Sequence, residues 1–331
     1  MLTSTNRRAL ALGLATAMAL TLAACSGEPA PAESDDAPLE IQTLEVGIIP
    51  SPDAAVLYLG EEQGFFESRG IKLNYNIGAG GAALVPPVVS GQYQLGFSNV
   101  VSIMQAREEG LPLTILNPSG TSWGTEDEGI NNLLVMESSG ITSPADLEGK
   151  RVGVNTLGNL LEVLARVSIE KAGGDPNTVE FVPLPPPDLV NSLVNGDLDG
   201  IMCNEPFCSL AIDQGAVQIA NSFYDLAPGV EAAAAAWFTS DPQLAEDPEL
   251  FERLQAAINE SNAYATAHPD ETRAMTLNVA PNTDPDLLKV MLLNNWPDSL
   301  NPEDLQYLAK AAVKYGLLKE EPDYDTIVWT P

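Results

Sequence analysis

The chain has 331 residues, with 46 acidic against 15 basic side chains and a formal net charge of −31. That balance excludes nucleic acid as a partner, because phosphate binding needs a basic face, and the acids are spread along the chain as on a solubilising surface. Past residue 24 no apolar run is long enough to cross a bilayer; about 290 residues after a leader and tether suffice for two lobes but not for three domains.

Met1 to Ala24 reads as a targeting segment: Arg7 and Arg8 form its charged start, and Ala9 to Leu22 is a short apolar run. Leu22-Ala23-Ala24-Cys25 has the form of a bacterial lipoprotein processing site. Cleavage there makes Cys25 the first mature residue and the carrier of lipid. The protein is then anchored to the outer face of the cytoplasmic membrane, in the periplasm or at the cell surface, without spanning the bilayer. Loss of the two arginines leaves 13 basic residues against 46 acids, a net charge of −33. Residues 25–42, rich in Pro, Ala and acids at their start, read as a disordered tether.

Leu44 to Ile49 is an apolar strand ended by Pro50-Ser51-Pro52-Asp53. Helical spacing of Val56, Leu57, Leu59 and Phe65 follows, up to Gly70. Ile71 to Ile77 is the second strand, and Gly78-Ala79-Gly80-Gly81 turns the chain into the next helix. Gly78, Gly80 and Ala83 loosely satisfy a G-x-G-x-x-A dinucleotide pattern, but no acid ends the following strand, Leu95 to Ser98, and no GK[ST] phosphate loop is present. That third strand runs through Ser98-Asn99 into a helix. Leu113 to Leu116 is a fourth strand, Asn117 to Glu128 a polar loop holding Trp123, and Leu133 to Met136 a further strand of the first lobe.

Ser143 to Asn159 organises the chain. Ser143, Pro144 and Asp146 start a short helix that Gly149 stops, and Lys150 and Arg151 lead into a buried strand, Val152 to Asn155. Thr156, Gly158 and Asn159 then stand at the mouth of a new helix, whose first N–H groups can point at a ligand. The second lobe continues with Val179 to Leu184, a helix after Pro185-Pro186-Pro187, Gly200 to Cys203 ending at Asn204-Glu205-Pro206-Phe207, and Val217 to Ala220. Ala232 to Thr239 crosses back to the first lobe, and the helices LFERLQAAINESNAYATA, DLLKVMLLNNW and DLQYLAKAAVKYG cover it. The class is α/β, with small, polar or aromatic residues at the carboxyl ends of its strands, the edge where open parallel sheets bind ligands.

The series GFFESRGIKLNYN, VSGQYQLGFSN, SPADLEGKRVGV and LVNGDLDGIMCNEPF, behind a lipoprotein start, resembles the solute-binding proteins of ABC importers over about residues 43–320. Within them it looks like the group that binds nitrate, sulfonates, taurine or thiamine pyrimidine precursors. The resemblance implies a two-lobed periplasmic-binding-protein fold of type II, with residues 43–135 and 236–331 as the first lobe and 136–235 as the second. It further implies a ligand cleft between lobes joined by two crossovers, closure on the solute, a membrane permease and its ATPase as partners, a monomer, no cofactor and no catalysis. Pro50, Ser51, Gly80, Gly81, Ser98 and Asn99 would line one wall; Thr156, Gly158 and Asn159 would line the other, with Asn204 and Glu205 near the hinge. The glycines also suit plain turns, Ser98 and Asn99 also suit a helix cap, and Trp123 either stacks on a planar ligand or anchors its loop.

The charges bear on the solute. Apart from Lys150 and Arg151, which precede their strand, no basic residue lies in these loops, so nitrate or a sulfonate would rest on helix N-termini and hydroxyls against an opposing Glu205. A pyrimidine would suit Trp123, Asn99, Asn204 and Glu205. The expected function is capture of a nitrate-, sulfonate- or taurine-like solute; the alternatives are a thiamine pyrimidine precursor and a lobe reporting to a membrane sensor. An enzyme of this fold using its own histidine is disfavoured, since the single histidine, His268, lies in AYATAHPDE, where it reads as solvated surface. Cys203 and Cys208 fit a disulfide or two buried thiols, and two cysteines without a nearby histidine do not make a metal site.

Overall fold

The computed structural model describes residues 40–78 and 80–330. The expected leader, Cys25 and the tether through residue 39 lie outside the described residues. Strands β1 (Gln42–Ile48), β2 (Ile71–Ile77), β3 (Leu95–Asn99) and β4 (Leu113–Thr121) fall close to the expected positions. Between them run α1 (Pro52–Glu62), α2 (Gly81–Val89) and α3 (Val100–Glu108). Proline at the start of α1 needs no N–H partner, and Gly70, at φ 69°, closes the turn before β2 in the left-handed region that glycine favours.

The second half brings β5 (Asn131–Met136), β6 (Arg151–Val154) and α4 (Leu160–Lys171), then β7 (Glu180–Pro183) and α5 (Pro186–Val194). It closes with β8 (Gly200–Asn204), α6 (Phe207–Asp213), β9 (Ala216–Asn221) and α7 (Ser222–Leu226). Ser143 and Asp146 form the expected start, a reciprocal capping box over the short 3₁₀ turn Pro144–Leu147. The chain then returns as β10 (Ala233–Ser240), followed by α8 (Asp241–Glu246), α9 (Pro248–Ala267), α10 (Pro269–Val279), α11 (Pro285–Val290), α12 (Gln306–Lys314) and α13 (Tyr324–Ile327).

Two five-stranded sheets result, ordered β2-β1-β3-β10-β4 and β7-β6-β8-β5-β9. Each has four parallel strands and one antiparallel strand in its fourth position: β10 in the first, β5 in the second. The strand that crosses between halves therefore fills the same slot on both sides. In the first sheet Phe97 and Trp237 meet edge to face at 5.4 Å across β3 and β10, within a core that includes fully buried Val46, Ile48 and Phe238. Each such side chain contributes about 1.5–3 kcal/mol by leaving water.

Four expectations are corrected. Leu133 to Met136 pairs with β8 and β9, so it belongs to the second sheet and the first crossing falls at residues 122–130, not at 135–136. An apolar run signals a strand but carries no label for its sheet. Residues 117–121, read as loop, extend β4: pairing with β10 supplies the backbone bonds, and Pro118 is tolerated because β4 is an edge strand of that sheet. The helix expected through Trp296 stops at Val290, since Asn295 exchanges backbone hydrogen bonds with Thr121 and pulls the segment into extended form. Finally, α12 packs on both α3 and α4, spanning the two halves rather than covering the first alone.

Among the described residues no helix is long and apolar enough to cross a membrane, and no group of three or more His, Cys, Asp or Glu could hold a metal ion.

Candidate functional site

Parallel β1, β2, β3 and β4 all end on one edge of the first sheet, and antiparallel β10 begins there. Ser51, at the end of β1 and the start of α1, is 3% exposed, and its hydroxyl has no partner in hydrogen-bonding geometry. Ser98, at the end of β3, is fully buried and its hydroxyl is likewise unpartnered. Other buried polar atoms, among them the hydroxyls of Ser119 and Thr239, share that lack, and what distinguishes Ser51 and Ser98 is their place at the strand ends of the carboxyl edge. Gly81 makes this arrangement possible, because a Cβ there would stand 2.2 Å from Ser98 Oγ. Gly80 faces open space instead, with extended backbone that any residue adopts. The first turn of α2 has neither a side-chain cap nor an acid, unlike α3, which Asn99 caps by accepting from Ser102 N at 3.0 Å. Pro50 is exposed.

Asp53, one residue into α1, was not foreseen as a site residue. It is buried, and its Oδ1 accepts from Asn294 Nδ2 at 2.6 Å and from Trp296 Nε1 at 3.0 Å. Burial pushes its carboxyl up from 3.8 to about 6, against the opposing pull of Trp296 and Asn294 and, more weakly, of the nearby Ser51 hydroxyl. Trp296 and Asn294 belong to the extended segment after α11. The same segment accepts the indole N–H of Trp123, at 2.7 Å, through Leu293 O. That bond commits Trp123 to holding the crossover loop, with its ring half-buried.

On the second sheet β6, β7, β8 and β9 end on one edge, and antiparallel β5 begins on it. Asn159 caps α4 by accepting from Leu161 N at 3.1 Å and donates to Thr156 Oγ1 at 2.5 Å. Gly158 N donates to Glu162 Oε2 at 2.8 Å, and Glu162 pairs with Arg166 at 2.7 Å. The N–H groups expected to await a ligand at this helix mouth are thus partly taken by the helix's own carboxylate. Thr156 is exposed and Gly158 adopts φ 67°.

Glu205 is buried beyond β8, accepting from Ser209 N at 3.2 Å and Ser209 Oγ at 3.0 Å. Burial raises its pKa, opposed by Ser209 and by the backbone N–H of Leu292. Asn204 Nδ2 donates to Glu205 O at 3.0 Å, the Glu205–Pro206 peptide is cis, and Cys203 and Cys208 form a disulfide around this turn, with Cα atoms 5.5 Å apart. Asn131 was also missed. Buried at the start of β5, it sits opposite Asn204 in the ladder, on the same edge.

Ser98 and Gly81 are thus in contact, Ser51 and Asp53 share the α1 start, and Asn204 and Glu205 share the β8 turn, while Trp123 stands apart at the crossover. Nine ion pairs occur among the described residues, and none involves Asp53 or Glu205. Lys150 and Arg151 pair with Asp199 and Glu180 at the other end of β6. His268 is half-buried rather than solvated, stacked on Tyr264 at 3.9 Å between α9 and α10.

Comparison with solved structures places this architecture among periplasmic binding proteins. The aliphatic sulphonate binding protein SsuA of Escherichia coli superposes with a TM-score of 0.71 at 18% identity, over 87% of this chain and 92% of that one. The nitrate-binding protein NrtA of Synechocystis PCC 6803 gives 0.69 at 14%, over 87% and 86%. These likenesses establish the two-lobed periplasmic-binding-protein fold. In sequence, a protein of Haemophilus influenzae named for thiamine biosynthesis is 25% identical over 81% of this chain and 85% of its own length. A protein of Brucella abortus named as a binding protein is 24% identical over 67% of this chain, which spans about two thirds (66%) of that relative's length. Residues 51–272 match the NMT1/THI5-like family model, and the chain belongs to that family.

Proposed function

We propose that this protein is the extracytoplasmic solute-binding component of an ABC importer, anchored through lipid on Cys25. In this reading each sheet is the core of one lobe, the chain acts as a monomer, and the lobes close on a small solute and deliver it to a permease and its ATPase. The carrying observation is the buried, unpartnered hydroxyls of Ser51 and Ser98 at the ends of two neighbouring strands, with Ser98 packed on Gly81 at the uncapped start of α2. Such a cradle suits the oxygens of a nitrate-, sulfonate- or taurine-like solute. The sulphonate and nitrate binding named in the titles of SsuA and NrtA supports this class.

A second reading, a pyrimidine precursor, is favoured by the buried carboxylates Asp53 and Glu205, which accept N–H donors. A formylaminopyrimidine-binding protein of Halalkalibacterium halodurans, 26% identical over 55% of this chain, supports it. A thermal-shift screen of the full chain against nitrate, taurine, alkanesulfonates and aminopyrimidines decides between them. A ligand at a hundredfold excess over its dissociation constant adds about 2.7 kcal/mol of stability. A shift with the oxyanions supports the first reading, a shift confined to aminopyrimidines supports the second, and no shift with any of them counts against transport of either class.

A further inference from the structure

The two edges are chemically unequal. The first sheet offers Ser51 Oγ, Ser98 Oγ and the start of α2, where neither an acid nor a side-chain cap competes for N–H groups. Two residues beyond Ser51, however, stands the buried carboxylate of Asp53, whose Oδ1 accepts from Asn294 and Trp296. Across the second edge lie Glu162 and Glu205, both buried. Glu162 is neutralised by Arg166, but no basic side chain pairs with Asp53 or Glu205 among the described residues. A simple oxyanion held at Ser51 and Ser98 would bring a negative charge against a buried carboxylate in a medium that screens poorly. A solute carrying its own cation or N–H donor removes that conflict, and the hydroxyls and the carboxylate then bind its opposite ends.

We infer that Asp53 is the specificity-determining residue of this cleft: it accepts a hydrogen bond from the amine of a zwitterionic or amine-bearing solute whose oxygen-rich end lies at Ser51, Ser98 and Gly81. This rests on the solute-binding reading above and sharpens it, because it assigns rejection of simple anions to one side chain. Asn294 and Trp296 act as positioning residues, since both donate to Oδ1 and so fix the carboxylate at the start of α1.

The test is calorimetric titration of the full chain with taurine and with ethanesulfonate, which share a skeleton and differ by the amine. Taurine is expected to bind more tightly by on the order of tenfold to a hundredfold, the range of one charge-assisted hydrogen bond. Asp53→Asn should bring the two ligands within a few-fold of each other, and Asn294→Ala, which keeps the carboxylate but removes one of the bonds that hold it, should narrow the preference for taurine part of the way while leaving ethanesulfonate affinity unchanged. Equal or tighter binding of ethanesulfonate to the wild-type chain overturns the assignment of Asp53 and leaves the binding reading intact. An unchanged preference in a folded Asp53→Asn chain does the same. No heat with either ligand in the wild-type chain overturns this proposal and the sulfonate reading beneath it together, whereas the aminopyrimidine arm of the screen addresses the remaining class. Where Asp53→Asn folds poorly, Asn294→Ala carries the test, and an unchanged preference for taurine in that folded chain overturns the assignment of Asp53 in favour of another carboxylate such as Glu205.

Discussion

Asp53→Asn should change how stability depends on pH. Burial raises the folded-state pKa of Asp53 from 3.8 to about 6. With the folded pKa above the unfolded one, the contribution of Asp53 is fully present below about pH 4. It is lost as pH rises through about 6, where the folded chain must hold a buried charge. The gap is about two pH units, and at about 1.4 kcal/mol per unit it amounts to ~3 kcal/mol. Asparagine does not titrate, and its carbonyl can still accept from Trp296. The stability of Asp53→Asn minus that of the wild type should therefore rise by ~3 kcal/mol between pH 4 and pH 7. Urea unfolding of both chains at half-unit pH steps measures that difference while cancelling other carboxylates. Curves parallel within about half a kcal/mol across the range would refute the argument, because Asp53 would then be titrating as a solvated carboxyl.

Gly81→Ala forces a methyl group against Ser98 Oγ, and overpacking of this kind costs roughly 1–3 kcal/mol; the melting temperature should fall, while Gly80→Ala, which meets nothing within 4 Å, should leave it close to wild type. Replacing Cys203 and Cys208 together by serine opens a short loop and should lower stability by about 2 kcal/mol, as measured by denaturant unfolding against the oxidised wild type. Trp123→Phe removes the indole bond to Leu293 O and should cost about 1 kcal/mol while leaving solute affinity unchanged; a large affinity loss at unchanged stability would instead make Trp123 a ligand-stacking residue.

Strand positions and the caps at Ser143 and Asn99 were legible in the sequence because they depend on short-range chemistry: alternation or runs of apolar residues, and side chains that satisfy a helix start, whereas Asn159, expected to leave its helix mouth open to a ligand, caps it instead. The return of Ala233–Ser240 to the first sheet was legible as well. What stayed hidden depends on partners distant in sequence. Asp53 looks like an ordinary acid in a helix's first turn until Asn294 and Trp296, more than 240 residues away, close over it. Asn131 escaped because attention to strand ends overlooks an antiparallel strand, whose beginning shares the edge with its neighbours' ends. The helical spacing of DLLKVMLLNNW was real as far as Val290; beyond it, backbone pairing with Thr121 and the demand of Asp53 outweighed helix propensity.

The matching slots filled by β5 and β10 also set an order of assembly during synthesis. All five strands of the second sheet lie within residues 131–221, so it can be completed as soon as that stretch has left the ribosome. The first sheet cannot. Its β4 has no neighbour until β10 arrives between it and β3, so the segment made first waits for residues 233–240 before its last two strands can join. Pairing across more than a hundred residues is slow to form, and a chain emerging from its amino end should show a protease-resistant second half before a protease-resistant first half.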